Sequence, residues 1–306
     1  MRICFWGTPQ VAVPALQAFL ADPATEVAAV VTNPDRPRGR GYRLTPPPVK
    51  VVAAQAGVPV WQPQRPRDVL EELRAWAVDA CAVVAYGALL PSDVLAAGGR
   101  GFVNLHFSLL PAWRGAAPVQ HALLHGDGVT GVTCFVLDEG MDTGPTLISA
   151  ATPIDGDDTA GGLSDRLARL GAPLLVDAVH GLDDGSLQAL DQDAEQATYA
   201  PKLRVEDARL EWTRPAAALE RAVRAFNPVP GAHTTLDGQR LKVHLARAVS
   251  GRGQPGTVIE AQDEGPVVAC GEGALRLERV QPAGKASMSG PAFVNGYRPV
   301  GRRLGA

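Results

Sequence analysis

The stretch GFVNLHFSLLPAWRGAAP, residues 101–118, sets an amide and an imidazole, Asn104 and His106, inside an apolar run that ends in a proline-containing loop. Such a run predicts an apolar strand running into a polar loop, and the continuous apolar run 79–87, bounded by Gly87, predicts a strand covered on both faces. On a strand, residues i and i+2 share a face, so Asn104 and His106 point the same way. They also stand at the strand's carboxyl end, where open α/β sheets build their sites. The plainer alternative is a pair of polar side chains satisfying backbone groups at a strand end, and an isolated N-x-H favours it.

Working outward, RICFWG (2–7), EVAAVVT (26–32), DACAVVAYG (79–87), TGVTCFVLD (130–138) and TLISAATPI (146–154) predict further strands, with PVWQ a short one. Between them, VAVPALQAFLAD (11–22), VKVVAAQAG (49–57), RDVLEELRAWA (67–77) and the segments near 92–97 and 117–125 carry helical spacing. A longer helix over about 158–181 is expected to bend or divide at Gly171 and Pro173. This alternation predicts an α/β fold, a mostly parallel sheet with helices on both faces. After residue 187 the pattern changes. Residues 188–207 have weak periodicity and read as a linker crossing the surface, and PAAALERAVRAF (215–226) reads as a helix. Short β runs follow, with a hairpin signal at Asp237-Gly238, and suggest a small β-barrel, OB-like, over 208–306. Three parts are expected: a first domain over 1–187, the linker over 188–207 and the barrel over 208–306.

The bulk properties agree with two domains. A chain of 306 residues exceeds what one compact core usually holds, and 46% apolar with 20% charged residues is ordinary globular composition. No apolar run reaches the roughly 20 residues of a membrane span. Met1 leads straight into a strand pattern, so no leader peptide, a cytoplasmic location and no membrane partner are expected. Cys4, Cys81, Cys134 and Cys270 are scattered, which argues against a disulfide framework or a zinc site. Residues 1–200 hold 13 Lys and Arg against 22 Asp and Glu, a net of −9, and residues 201–306 hold 16 against 10, a net of +6. An acidic body with a basic tail suggests a polyanionic partner for the second part, against the plainer reading of an unevenly charged surface.

A second stretch, LDEGMDTGP (137–145), crowds Asp138, Glu139 and Asp142 between strands, with Gly140 and Gly144 interspersed. By itself it is an ordinary acidic turn. It follows the next strand after the one carrying Asn104 and His106, and adjacent strands are expected to bring their carboxyl ends together. A carboxylate, an imidazole and an amide then meet at one sheet edge. The imidazole takes or relays a proton near neutral pH, the carboxylate orients it, and the amide donates to an oxygen gaining charge. That chemistry fits acyl transfer by direct attack of an amine, with no Ser or Cys nucleophile. On chemistry alone, Asp138 and Asp142 remain rivals. The loop 33–50 holds Arg36, Arg38, Arg40, Arg43 and Lys50 around Gly39 and Gly41, which is either a solvated basic loop or a flexible cationic arm for RNA. GTPQVA at 7–12 is not a dinucleotide fingerprint. His121 and His125 stand four apart without a third ligand, so no metal is expected there.

Taken together, NLHFSLLPAWRGAAPVQHALLHGD and TGVTCFVLDEGMDTGP resemble the folate-dependent formyltransferase superfamily, with its N-x-H strand, S-L-L-P loop and D-x-G-x-D-x-G loop. FWGTPQVAVPAL (5–16), NPDRPRGRGYRLTPPPVK (33–50), VVAYGALLP (83–91) and LERAVRAFNPVPGA (219–232) bring the likeness nearest to the members that formylate methionyl initiator tRNA, and it covers nearly the whole chain. The resemblance implies a Rossmann-like catalytic domain, 10-formyltetrahydrofolate as formyl donor, initiator Met-tRNA as acceptor and no metal; a monomer is expected. It implies Asn104, His106 and Asp142 as the catalytic trio, and it is this pattern that selects Asp142 over Asp138. It implies folate contacts at Ser108, Leu109, Leu110, Pro111, Val84, Tyr86 and Gly87. It further implies tRNA contacts at Arg36, Arg38, Arg40, Arg43 and Lys50, with Arg40 foremost. The alternatives are formylation of a small amine such as glycinamide ribonucleotide or an amino sugar, release of formate by water, and folate or tRNA binding without turnover. The basic loop and the additional residues have no task in the small-amine reading, and the intact trio argues against the binding reading.

Overall fold

Residues Ile3 to Trp6 are all fully buried, and their directions alternate. Phe5 meets Phe19 edge-on at 6.3 Å, whereas Trp6 meets Tyr86 and Phe102 at 5.0 and 5.5 Å. A strand buried on both sides needs a helix layer on each. The structure, a computed structural model, describes residues 1–38, 43–262 and 264–305. In chain order the elements are β1 (Arg2–Gly7), α1 (Val13–Ala21), β2 (Glu26–Val31), β3 (Arg36–Arg38), β4 (Arg43–Thr45), α2 (Pro48–Gln55), β5 (Val60–Trp61), α3 (Leu70–Trp76), β6 (Ala80–Val84), α4 (Ser92–Leu95), β7 (Phe102–His106), α5 (Pro118–His125), β8 (Val129–Val136), β9 (Thr146–Pro153) and α6 (Ala160–Asp184). Then come α7 (Ala216–Ala225), β10 (His233–Leu236), β11 (Gln239–Val249), β12 (Val258–Gln262), β13 (Gly265–Ala269), β14 (Ala274–Pro282), β15 (Met288–Ser289) and α8 (Gly290–Tyr297).

The chain folds as two compact units. One comprises Met1–Pro118, Val129–Pro153 and Ser164–Ala200; the other comprises Val119–Gly128, Ile154–Leu163 and Pro201–Ala306. The first is built on a seven-stranded sheet of order β5-β2-β1-β6-β7-β8-β9, as the expected α/β fold requires. Strands β5 through β7 are parallel, and β8 and β9 are added antiparallel. Leu73 of α3 and Val94 of α4 pack with Cys4, Trp6 and Phe102 on one face. Phe19 of α1 meets Phe5 on the opposite one.

Three sequence expectations change here. The long helix is not divided: α6 runs unbroken through Pro173. Leu167, Ala168, Ala172, Leu175 and Val179 are buried at three- and four-residue spacing, so one apolar stripe holds both halves on the same axis. Gly171 serves packing rather than breaking, because a Cβ there would lie 2.6 Å from a methyl of Leu105 in β7. The basic loop contains a hairpin, with Arg36, Pro37 and Arg38 paired to Thr45, Leu44 and Arg43. The segment read as a linker is tied to the first unit over 190–200. Leu190 exchanges backbone hydrogen bonds with Thr146 at 2.8 and 2.9 Å, and Tyr199 bridges Arg114.

The second unit is an antiparallel sheet of order β10-β11-β14-β13-β12, with β15 added to β14. Its two edges are joined by the last residues: Leu304 bridges Leu236, and Arg303 bridges Thr257 next to β12. The sheet therefore closes as the expected barrel. Asp237 (φ 51) and Gly238 (φ 72) form the β10–β11 turn, both left-handed as a type I′ hairpin demands. Leu219, Ala222 and Val223 of α7 join Trp212, Leu275 and Phe293 in its core, where the Trp212 indole donates to the Thr234 hydroxyl at 3.0 Å.

All four cysteines are free and buried, and burial pushes the Cys134 and Cys270 thiols up to about 12. A thiol that cannot ionise does not attack. Ellman titration is expected to find no reactive thiol in the native protein and four after denaturation, and stoichiometric native labelling would contradict this burial. Gly171→Val should drive its side chain into Leu105 and cost about 1–3 kcal/mol by overpacking, read as a lower denaturation midpoint with an unchanged slope.

Candidate active site

β7 alternates Phe102, Asn104 and His106 on the α3/α4 face with Val103 and Leu105 on the other. His106 is only 6% exposed and packs edge-on against Phe135 at 6.3 Å. Its Nε2 stands 2.9 Å from the Trp113 carbonyl oxygen. A carbonyl only accepts, so Nε2 carries the proton, and in the neutral ring Nδ1 keeps the free lone pair. Nδ1 faces Asp142 Oδ2 at 3.7 Å, too far for a hydrogen bond but within ion-pair range once the ring is doubly protonated. Asn104 is partly exposed, and its amide makes no hydrogen bond among the described residues.

The trio thus converges, but not by the expected route. β8 runs antiparallel to β7, with His106 opposite Thr133 and Val103 opposite Val136, so the two carboxyl ends lie at opposite edges. The loop 137–145 must fold back along the sheet to reach His106. Its geometry allows this at two points. Gly144 lies where a Cβ would collide with the Val136 carbonyl oxygen, and Asp142 adopts φ 55. The exposed Asp138 is engaged in its own turn, accepting from the Gly140 amide at 3.0 Å and the Thr143 hydroxyl at 2.8 Å. Asp142 Oδ2 instead accepts the Gly115 amide at 2.7 Å. Between the two rivals, it is Asp142 that reaches the imidazole.

The S-L-L-P loop is shaped from within. Ser108 is fully buried and its hydroxyl donates to the Ala112 carbonyl. Thr133 donates to the Ser108 carbonyl at 2.8 Å and accepts from the Leu110 amide at 3.0 Å, which staples the loop to β8. Leu109, Leu110 and Pro111 are half-buried. In the β6–β7 ladder Val83 pairs with Asn104, so the end of β6 borders the trio. Val84 and Tyr86 are buried there and Gly87 is exposed. Burial pushes the Tyr86 phenol up to about 12, and its carbonyl accepts from the Asn33 amide at 2.8 Å and the Thr8 hydroxyl at 3.3 Å. Thr8, Asn33 and Thr133 were absent from the sequence expectations. Thr133, a hydroxyl inside an apolar strand, was the one with a visible signal.

The basic residues divide. Arg36 and Arg43 are exposed on the hairpin strands, and Arg38 pairs across to Arg43. Arg40 lies outside the described residues. The Lys50 ammonium is held by Asp35 at 2.8 and 2.9 Å and by Gln62 at 2.7 Å. Lys50, then Gln62, keep the Asp35 carboxyl below the usual carboxylate range. Lys50 thus braces the base of the hairpin. His121 and His125 stack at 6.0 Å with ring nitrogens on the backbone carbonyls of Pro201 and His121, an arrangement of helix packing.

Comparison with known proteins fits this geometry. A family model described as formyl transferase matches residues 1–179, and one described as formyl transferase, C-terminal domain, matches 202–298. The methionyl-tRNA formyltransferase of Pseudomonas putida (strain GB-1) is 51% identical over 289 residues, covering 94% of this chain and 93% of that protein. That of Streptomyces coelicolor is 49% identical over 310 residues, covering all of both chains. Among solved structures, an N-formyltransferase from Helicobacter canadensis in complex with folinic acid and dTDP-3-aminofucose shares the fold, with TM-score 0.67 and 17% identity, over 93% of this chain and 99% of that one. With one model spanning more than half its length and relatives half identical over nearly all of it, the chain belongs to the formyl transferase family.

Proposed function

We propose that this protein transfers the formyl group of 10-formyltetrahydrofolate to the α-amino group of methionine on initiator tRNA. The observation that carries this is the uncommitted Asn104 amide standing beside a buried imidazole whose second nitrogen faces a carboxylate. The names of the relatives supply the acceptor, and the folinic acid bound by the Helicobacter enzyme supports a folate donor. The half-buried Leu109, Leu110 and Pro111 give the pterin and its linker an apolar wall beside the polar end of β6.

Each residue then has a definite task. The amine nitrogen attacks the formyl carbon, and the carbonyl oxygen becomes an oxyanion. Asn104 donates to that oxygen, and loss of such a donor costs about 2.7–4 kcal/mol. His106 accepts at Nδ1 the proton the amine releases, because Nε2 is already committed to Trp113. Asp142, 3.7 Å away, stabilises the resulting imidazolium. The same proton is then available to the folate nitrogen as its bond to the formyl carbon breaks. General acid–base help of this kind is worth roughly 10²–10⁴ in rate. The hairpin of β3 and β4 and the basic segment 201–306, net +6, serve as the RNA-facing surfaces.

Radiolabelled formyl from 10-formyltetrahydrofolate is expected to appear on methionyl initiator tRNA in strong preference to elongator tRNA, glycinamide ribonucleotide or an amino sugar. Efficient labelling of a small amine with none on tRNA would defeat the proposal. Asn104→Ala should lower kcat by about 10²–10³ and His106→Ala by about 10²–10⁴, with tRNA binding retained; full activity of either variant removes that residue from the chemistry. Arg40→Ala and Arg43→Ala should each raise KM for tRNA with little change for folate, and each should reduce the slope of log binding against log salt by about one. An unchanged slope would exclude the hairpin from RNA contact.

A further inference from the structure

Arg114 follows the S-L-L-P loop and is 4% exposed, yet no carboxylate lies within ion-pair distance of it among the described residues. A buried guanidinium without a carboxylate needs a strong neutral acceptor. It has one: Nε and Nη2 of Arg114 both donate to Oε1 of Gln192, at 3.0 and 2.8 Å. That contact decides the orientation of the Gln192 amide, since its oxygen must face the donors. Its Nε2 then points the other way, donating to the Asp142 carbonyl at 2.9 Å and the Gly144 carbonyl at 2.7 Å. The chain Arg114–Gln192–Asp142 therefore grips the backbone of the loop that brings a carboxylate to His106, at the residue concerned and at the glycine two positions on. Bonds polarised in series by a buried cation reinforce each other.

We propose that Gln192, oriented by Arg114, is a positioning residue that holds Asp142 in register with His106. The proposal rests on the role given above to Asp142. Residue 192 lies between the two family-model matches, 1–179 and 202–298, in the segment the sequence presents as a linker. The neighbouring hydrogen bonds point the same way. The Trp113 amide donates to the Thr198 hydroxyl at 2.8 Å, and Arg114 exchanges backbone bonds with Thr198 and Ala200 at 2.8 Å each. Residues 190–200 thus clasp both loops of the site, with Gln192 at the carboxylate.

The test compares Gln192→Ala and Gln192→Glu in the full-length protein, reading kcat and KM for formyl transfer to methionyl initiator tRNA. Gln192→Ala should lose roughly 10–100-fold in kcat, the scale of a small misplacement in a catalytic group, with KM for folate changed less than about threefold. Gln192→Glu gives Arg114 a better partner but turns a carboxylate toward two carbonyl oxygens. It should keep the parent's thermal stability and recover none of the lost kcat. Combined with Asp142→Ala, Gln192→Ala should cost less than about twofold more, because both act through one group. A Glu variant with parental kcat would show that Gln192 only satisfies Arg114, and a fully additive double variant would show that it acts elsewhere; either overturns the proposal. A parent chain without formyl transfer removes the underlying reading as well, whereas an active parent matched by Gln192→Ala defeats this inference alone.

Discussion

The site depends on one carboxylate being carried against the direction of its own strand. β8 leaves the sheet at the edge away from His106, and Asp142 returns to it only because the following loop doubles back. The left-handed backbone at Asp142, the close approach at Gly144 and the Gly115 amide on Oδ2 are the local terms that permit this. The remaining trio needs little arrangement. Asn104 and His106 inherit their common direction from strand pleating, and Trp113 sets the imidazole tautomer through its carbonyl.

A loop so constrained needs anchors outside itself, and these come from residues 190–200. Leu190 extends the edge at Thr146, Gln192 takes the loop carbonyls, and Thr198 with Ala200 fixes the segment around Trp113 and Arg114. Thr133 performs the corresponding service for the S-L-L-P loop. Both loops are therefore held through their backbone by side chains that lie outside them, which limits how far they can shift.

The division of charge follows the division of the fold. The acidic first part holds the trio, and the basic part after residue 200 builds a closed barrel whose edges are joined by its last residues. A closed barrel offers a partner side chains rather than strand edges, so the RNA contact proposed for this part would fall to its arginines. Lys50 belongs to the basic stretch by composition, and Asp35 and Gln62 engage it at the hairpin's base.

Much of this was legible in the residues. Continuous apolar runs in 2–7, 79–87 and 102–106, helical spacing between those strands, and left-handed Asp237-Gly238 all report local preferences that neighbours did not override. Asn104 and His106 were legible for the same reason, being two residues apart on one strand. Strand direction was not: β8 is buried on both faces like its parallel neighbours, so its pattern gives no sign of reversal, and the three residues meet by a route other than the one expected. Gly171 and Pro173 carry breaker chemistry, which packing against Leu105 and a continuous buried stripe overrode. Gln192 left no trace in periodicity, because its importance consists of what it touches. The sequence by itself determined the elements, their alternation and the chemical kind of the site, since these depend on side-chain type and spacing along one chain. Only the tertiary structure decided how the carboxylate reaches the imidazole and what holds it there, since those contacts join residues up to 78 positions apart through geometry that no local pattern encodes.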